Sequence, residues 1–162
     1  QKWVEVVILT SDKTNFKLKA TKKEKEGHFI MIKTSVQHED IAILNIYAPN
    51  TRACRGIKQI LLCLKREIDF NIIIVGDINT PLSAIVTSSR QKMNKETLDL
   101  SYTLDQVHLT DICTTFHLTA TEYTFFSSLH GTFLQINHML AQNKSQKIFK
   151  NENHIKYLFR SQ

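Results

Sequence analysis

The stretch Asn71-Ile-Ile-Ile-Val-Gly-Asp-Ile-Asn-Thr-Pro81 limits what this chain can fold into more than any other part of it. Ile72 to Val75 is an unbroken apolar run, too short for a helix and suited to a strand covered on both faces. Gly76 interrupts it, and Pro81 forbids further strand pairing. Asp77 and Asn79 stand two apart, so in an extended chain a carboxylate and an amide leave the strand's end on the same side. The end of a buried strand is where α/β folds usually place catalytic groups. The competing reading is that both residues only cap a turn.

The flanking segments give this strand its neighbours. Trp3 to Thr10 and Phe16 to Thr21 read as strands, the second an edge strand, with Lys22 to Glu26 a charged tip closed by Gly27. His28 to Val36 and Ile41 to Tyr47 continue an antiparallel meander. In the latter, Ile41, Ile43, Asn45 and Tyr47 share one face, and Ala42, Leu44 and Ile46 the other. Ile57, Ile60, Leu61, Leu64 and Ile68 recur at helical spacing, predicting an amphipathic helix over about 56–69. That helix leads into the Asp77 strand and makes a strand–helix–strand unit. A second helix is predicted from about Asn94 to Val107, and a short one from Leu109 to Phe116. Thr121 to Ser127 and Thr132 to Leu140 read as strands around a His130-Gly131 turn. From Ala141 the chain turns polar and basic without a clear period, so residues 1–140 are read as one partial domain and 141–162 as a divergent tail.

At 162 residues and 42% apolar content, one domain with a real core is expected. No membrane span or signal peptide is visible, which gives the expectation of an intracellular chain, nuclear or cytoplasmic, with no membrane partner. Cys54, Cys63 and Cys113 have no metal-type spacing and read as reduced thiols. The 21 Lys+Arg against 15 Asp+Glu suit a polyanionic partner. No phosphate-cradling glycine loop, Gly-x-Ser-x-Gly or His-Glu-x-x-His motif is present.

Four segments then occur in a telling order: Asn45-Ile-Tyr-Ala-Pro-Asn-Thr51, Gly76-Asp-Ile-Asn-Thr-Pro81, Glu122-Tyr-Thr-Phe-Phe-Ser127 and Ile136-Asn-His138. With Ser89-Arg-Gln-Lys92 between the second and third, the chain resembles the endonuclease domain of LINE-type retrotransposon polyproteins. That is a branch of the exonuclease–endonuclease–phosphatase superfamily, and the match runs from about Val7 to Leu140. The resemblance implies a four-layered α/β sandwich, two mixed sheets face to face with helices outside. It further implies Mg²⁺-dependent hydrolysis that nicks duplex DNA, with no small-molecule cofactor. Carried over by position, Asp77 binds metal and orients or deprotonates the attacking water, Asn79 holds the scissile phosphate, and Tyr47 supports the transition-state charge. Asn137 and His138 fall on a catalytic Ile-Asp-His motif, while Asn50, Arg90, Thr124 and the His130 turn fall on DNA-contacting positions.

The departures from the family pattern are as informative. Asn137 stands where the motif has Asp, Thr87 where a basic residue is expected and Leu134 where a hairpin Ser is expected. A metal-binding Glu before the first strand and a Ser-Asp-His after the last hairpin are not in this sequence. Groups that act in the transition state each contribute about 10²–10⁴ in rate, so the expectation is a weak or inactive endonuclease without a strong Mg²⁺ site. The alternatives are a catalytically dead remnant that binds nucleic acid, a translated fragment with no selected activity and, more distantly, a phosphatase. An incomplete sheet edge is also expected.

Overall fold

The computed structural model describes residues 8, 17–36, 39–48, 53–65, 71–80, 82, 94–112, 125–127, 132–134 and 137–142. Six strands form one open mixed sheet in the order β1-β2-β3-β4-β8-β5. These are β1 (Lys17–Lys23), β2 (Phe29–Val36), β3 (Glu39–Tyr47), β4 (Asn71–Asp77), β5 (Leu109–Asp111) and β8 (Asn137–Gln142). A separate two-stranded ribbon pairs β6 (Phe125–Ser127) with β7 (Thr132–Leu134). The helices are α1 (Ala53–Leu64) and α2 (Lys95–Gln106). The described part of the expected sandwich is therefore one sheet, the helices packed on it and the ribbon.

The meander is present as read: β1 and β2, then β2 and β3, pair antiparallel. β3 and β4 pair parallel across α1, as a crossover helix requires. Side-chain alternation sorts the central strands into two apolar clusters. Ala42, Leu44 and Ile46 of β3, Ile72 and Ile74 of β4 and Leu140 of β8 pack with Ile57, Leu61 and Leu64 of α1 and Leu100 and Leu104 of α2. The opposite face gathers Ile41, Ile43, Ile73, Val75, Met139, Ala141 and Ile112. Burial on both faces explains why β4 is a continuous apolar run rather than an alternating one. Fully burying one such Leu or Ile contributes about 1.5–3 kcal/mol, so these clusters hold the sheet's centre in place.

Helix α2 starts where its cap dictates. Asn94 is extended (φ −73, ψ 164) and its side-chain oxygen accepts the Thr97 N–H at 2.8 Å. It ends at Val107, after which His108 takes a left-handed conformation at φ 57. That residue breaks the helical path and corrects one expectation: Leu109 to Asp111 form strand β5, paired antiparallel with Leu140 to Gln142, not the start of a helix. Ladder pairing with β8 overrides the local helical spacing.

A second correction concerns Thr132 to Leu140, expected as one strand. The segment divides into β7, paired with β6, and β8, inserted between β4 and β5. β8 also runs two residues past the expected boundary, to Gln142. Smaller shifts place α1 at Ala53–Leu64 and β1 at Lys17–Lys23, so Lys22 and Lys23 belong to the strand and not to the charged tip. The expected strand Trp3 to Thr10 and the Thr80 to Lys92 loop lie largely outside the described residues. No helix among the described residues is long and apolar enough to cross a membrane. Cys54 is a buried free thiol and Cys63 an exposed one.

Candidate active site at the strand ends

Parallel pairing brings the C-terminal ends of β3 and β4 to the same edge of the sheet. The register sets Tyr47 directly beside Asp77, and Asp77 directly beside Asn137 at the start of β8. Cross-strand partners share a face, so positions 47, 77 and 137 form a row across three strands on the face opposite the helices. Tyr47 and Asp77 are both half-buried.

The close approach depends on Gly76. Its φ is +139, and a Cβ there would lie 1.9 Å from the Ile46 carbonyl oxygen. Only glycine lets β3 and β4 meet at that step. Beyond it the chain turns sharply: the Asn79 backbone N–H donates to Asp77 Oδ1 at 3.0 Å, and Asn79 is left-handed at φ 53, a conformation Asn tolerates. The Asn79 side-chain amide donates to the Ala48 carbonyl, and the Ala48 N–H donates to the Asp77 carbonyl at 2.9 Å. The turn is thus sewn to the residue that follows Tyr47. Among the described residues, the second amide N–H and the Oδ1 of Asn79 have no hydrogen-bond partner.

His138 is placed differently from Tyr47 and Asp77. It registers opposite Gly76, so it belongs to the helix-facing side of the sheet, and it is wholly buried. Its Nδ1 lies 2.7 Å from Asp111 Oδ2 and its Nε2 lies 3.0 Å from the Thr80 carbonyl oxygen. Thr80 in turn shares a hydroxyl contact of 3.3 Å with Thr97 of α2. Asp111 and Thr80 were not singled out by the sequence: each is far in the chain from His138, and no motif joins them. Asn50, Arg90, Thr124 and His130 lie outside the described residues, as does the side chain of Asn137.

Burial pushes the Asp77 carboxyl above its ordinary value of 3.8, with the Asn79 N–H and the charge at His138 opposing the shift in part. An acid whose proton is held more tightly in the folded chain loses stability as pH rises from 3.8 toward its folded value. Asp77→Asn removes that penalty and keeps an oxygen to accept the Asn79 N–H. We expect its urea midpoint to exceed the wild type's at pH 7 and the difference to close in acid. Equal midpoints at neutral pH would contradict the desolvation cause.

The donor set was weighed against the Mg²⁺ the resemblance implies. A hard cation takes about six oxygen ligands, commonly with one or two carboxylates from protein. Among the described residues no three His, Cys, Asp or Glu side chains converge, and the row offers one carboxylate, Asp77. The described residues by themselves do not fit a resident Mg²⁺. A cavity of about 310 Å³ lies elsewhere, between α1 and α2, lined by Cys54, Lys58, Leu62, Glu96 and Asp99 among others, and shares no residue with this row. The strand-end row, built from polar groups at a topological edge, is the better candidate site.

With the sheet order and the strand-end row in place, the fold is identified as that of the exonuclease–endonuclease–phosphatase type. No protein-family model matches the sequence. Among solved structures, the chain is similar to the endonuclease domain of TRAS1, a telomere-specific non-LTR retrotransposon, at 10% identity and a TM-score of 0.60, covering 80% of this chain and 58% of that one. It is similar to an AP endonuclease from Archaeoglobus fulgidus at 16% identity and a TM-score of 0.56, with the same coverage. The catalytic domain of APE2 from Xenopus laevis gives 16% identity and a TM-score of 0.53 over 74% of this chain and 47% of that one. At such identities the likeness establishes the fold. The chain spans between 47% and 58% of the length of these three structures.

Proposed function

We propose that this chain is a retrotransposon-derived DNA endonuclease of LINE type whose phosphodiester hydrolysis is weak or lost. The observation that supports this reading is the pairing of Tyr47 with Asp77 at the ends of parallel strands, with Asn79 tied to Asp77 and to Ala48, the residue after Tyr47. Phosphodiester hydrolysis needs a base for water and donors aimed at the phosphate oxygens. Asp77 would take the water proton: its Oδ1 is engaged by the Asn79 N–H, and Oδ2 is the oxygen to receive it. Burial that raises the carboxyl's proton affinity makes it a better base. The Tyr47 hydroxyl and the remaining Asn79 N–H would donate to the phosphate.

A supercoiled-plasmid assay in Mg²⁺ tests this. Nicking that disappears in Asp77→Ala supports the reading, and nicking that survives the substitution rejects it.

The second reading is a remnant that binds DNA without cutting it, favoured by Asn137 beside Asp77, which leaves the row a single carboxylate. Net charge of +6 provides the attraction. Duplex DNA should then shift with the wild type and with Asp77→Ala alike, and the affinity should fall steeply between 50 and 200 mM salt, by roughly tenfold or more for three or four neutralised phosphates. Failure to shift duplex DNA at low salt would exclude it.

A further inference from the structure

Both ring nitrogens of His138 face acceptors. Asp111 Oδ2 stands 2.7 Å from Nδ1, and the Thr80 carbonyl oxygen stands 3.0 Å from Nε2. A carboxylate and a carbonyl have no hydrogen to give, so each bond needs a hydrogen on the ring. A neutral imidazole carries one hydrogen and would aim its other lone pair at an oxygen inside a core where His138 is 0% exposed. The doubly protonated ring satisfies both contacts, and its charge is matched at once by Asp111, whose side chain is 12% exposed. Among the described residues the carboxylates bearing on this ring are Asp111 from β5 and Asp77 from β4.

We propose that His138 is a positioning residue, an imidazolium clamp that joins β5 to the turn after β4 and so fixes the Ile78–Thr80 segment on which Asn79 is carried. The clamp acts on the Thr80 carbonyl, one residue beyond Asn79. The Thr80 hydroxyl, 3.3 Å from that of Thr97, extends the tie to α2. The left-handed turn is thereby held from three sides: by Asp77 through the Asn79 N–H, by Ala48 through the Asn79 amide and by His138 through Thr80. Buried in the helix-facing layer, His138 acts on the site through this turn and not on a substrate. The inference does not rest on the endonuclease reading, because its test needs no cleavage.

Two measurements on the full chain test it. In the wild type, nitrogen-detected imidazole spectra at pH 7 should show His138 with hydrogen on both ring nitrogens. A single protonated nitrogen overturns the clamp, whatever the variants do. The second measurement is amide exchange in His138→Asn, whose amide replaces Nδ1 and keeps the Asp111 contact, and in His138→Gln, whose amide replaces Nε2 and keeps the Thr80 contact. Exchange at Asn79 should speed up by roughly ten- to a hundredfold in His138→Asn, the loss expected for one charge-assisted bond, while Leu44 in β3 is unchanged. His138→Gln should restore most of the protection. Equal acceleration at Asn79 and Leu44, no acceleration at Asn79, or failure of Gln to restore protection refutes the positioning role.

Discussion

Gly76→Ala should cost about 2–5 kcal/mol, a large part of the ~5–15 kcal/mol that holds a domain folded. Two terms add. At φ +139 any L-side chain is strained, which costs roughly 1–2 kcal/mol. The new Cβ would also sit 1.9 Å from the Ile46 carbonyl oxygen and 2.9 Å from its carbon. Those are backbone atoms of the neighbouring central strand, so no side chain can swing away, and β3 must separate from β4 at the step before Tyr47 and Asp77. Forced overpacking of this kind costs about 1–3 kcal/mol more. Urea unfolding followed by circular dichroism measures the loss. Gly56→Ala is the internal control: it lies in α1 with nothing within 4 Å of the added Cβ, and helix propensity makes it stabilising by roughly 0.5–1 kcal/mol. A Gly76→Ala midpoint as high as that of Gly56→Ala would mean that the two strands do not approach as described.

How much of this was legible in the residues depends on how far apart in the chain the deciding contacts lie. Strands β2, β3 and β4 and helix α2 announce themselves locally, by alternation, by an apolar run and by helical spacing, and the structure has them within a few residues. The strand–helix–strand unit was legible too, and the parallel register across it, which sets Tyr47 beside Asp77, came from the fold. β5 did not follow, because its pairing partners Leu140 to Gln142 lie about thirty residues on and one left-handed residue, His108, decides where the helix stops. The split of β7 from β8 was hidden for a related reason: period-two alternation reads the same whichever sheet a strand joins. His138 shows the limit most plainly. A motif marks it as a candidate catalytic group, yet its partners, Asp111 and the Thr80 carbonyl, are 27 and 58 residues away, and only the fold reveals that its ring is wholly buried between them.

Asp77→Ala should reduce any plasmid nicking by about 10²–10⁴-fold, the usual worth of a positioned acid or base. The loss should exceed that of Tyr47→Phe, because under the proposed reading Asp77 would serve twice: it would receive the water proton, and it holds the Asn79 N–H that sets the turn. The same row predicts a gain. Position 137 is in register with Asp77, and registered neighbours on one face stand about 4.5–5.5 Å apart at Cβ. Asn137→Asp therefore puts a second acidic residue in register with Asp77. Without a cation the two repel, and Asp77 holds its proton more tightly still. With a hard cation they act together, since affinity for such ions rises with the number of charged oxygens offered. Plasmid nicking and manganese binding by titration calorimetry should then increase together in Asn137→Asp, each by roughly tenfold or more, with both gains lost when Asp77→Ala is added. If Asn137→Asp changes neither, position 137 does not share the Asp77 site and the row across the three strand ends is not a catalytic unit.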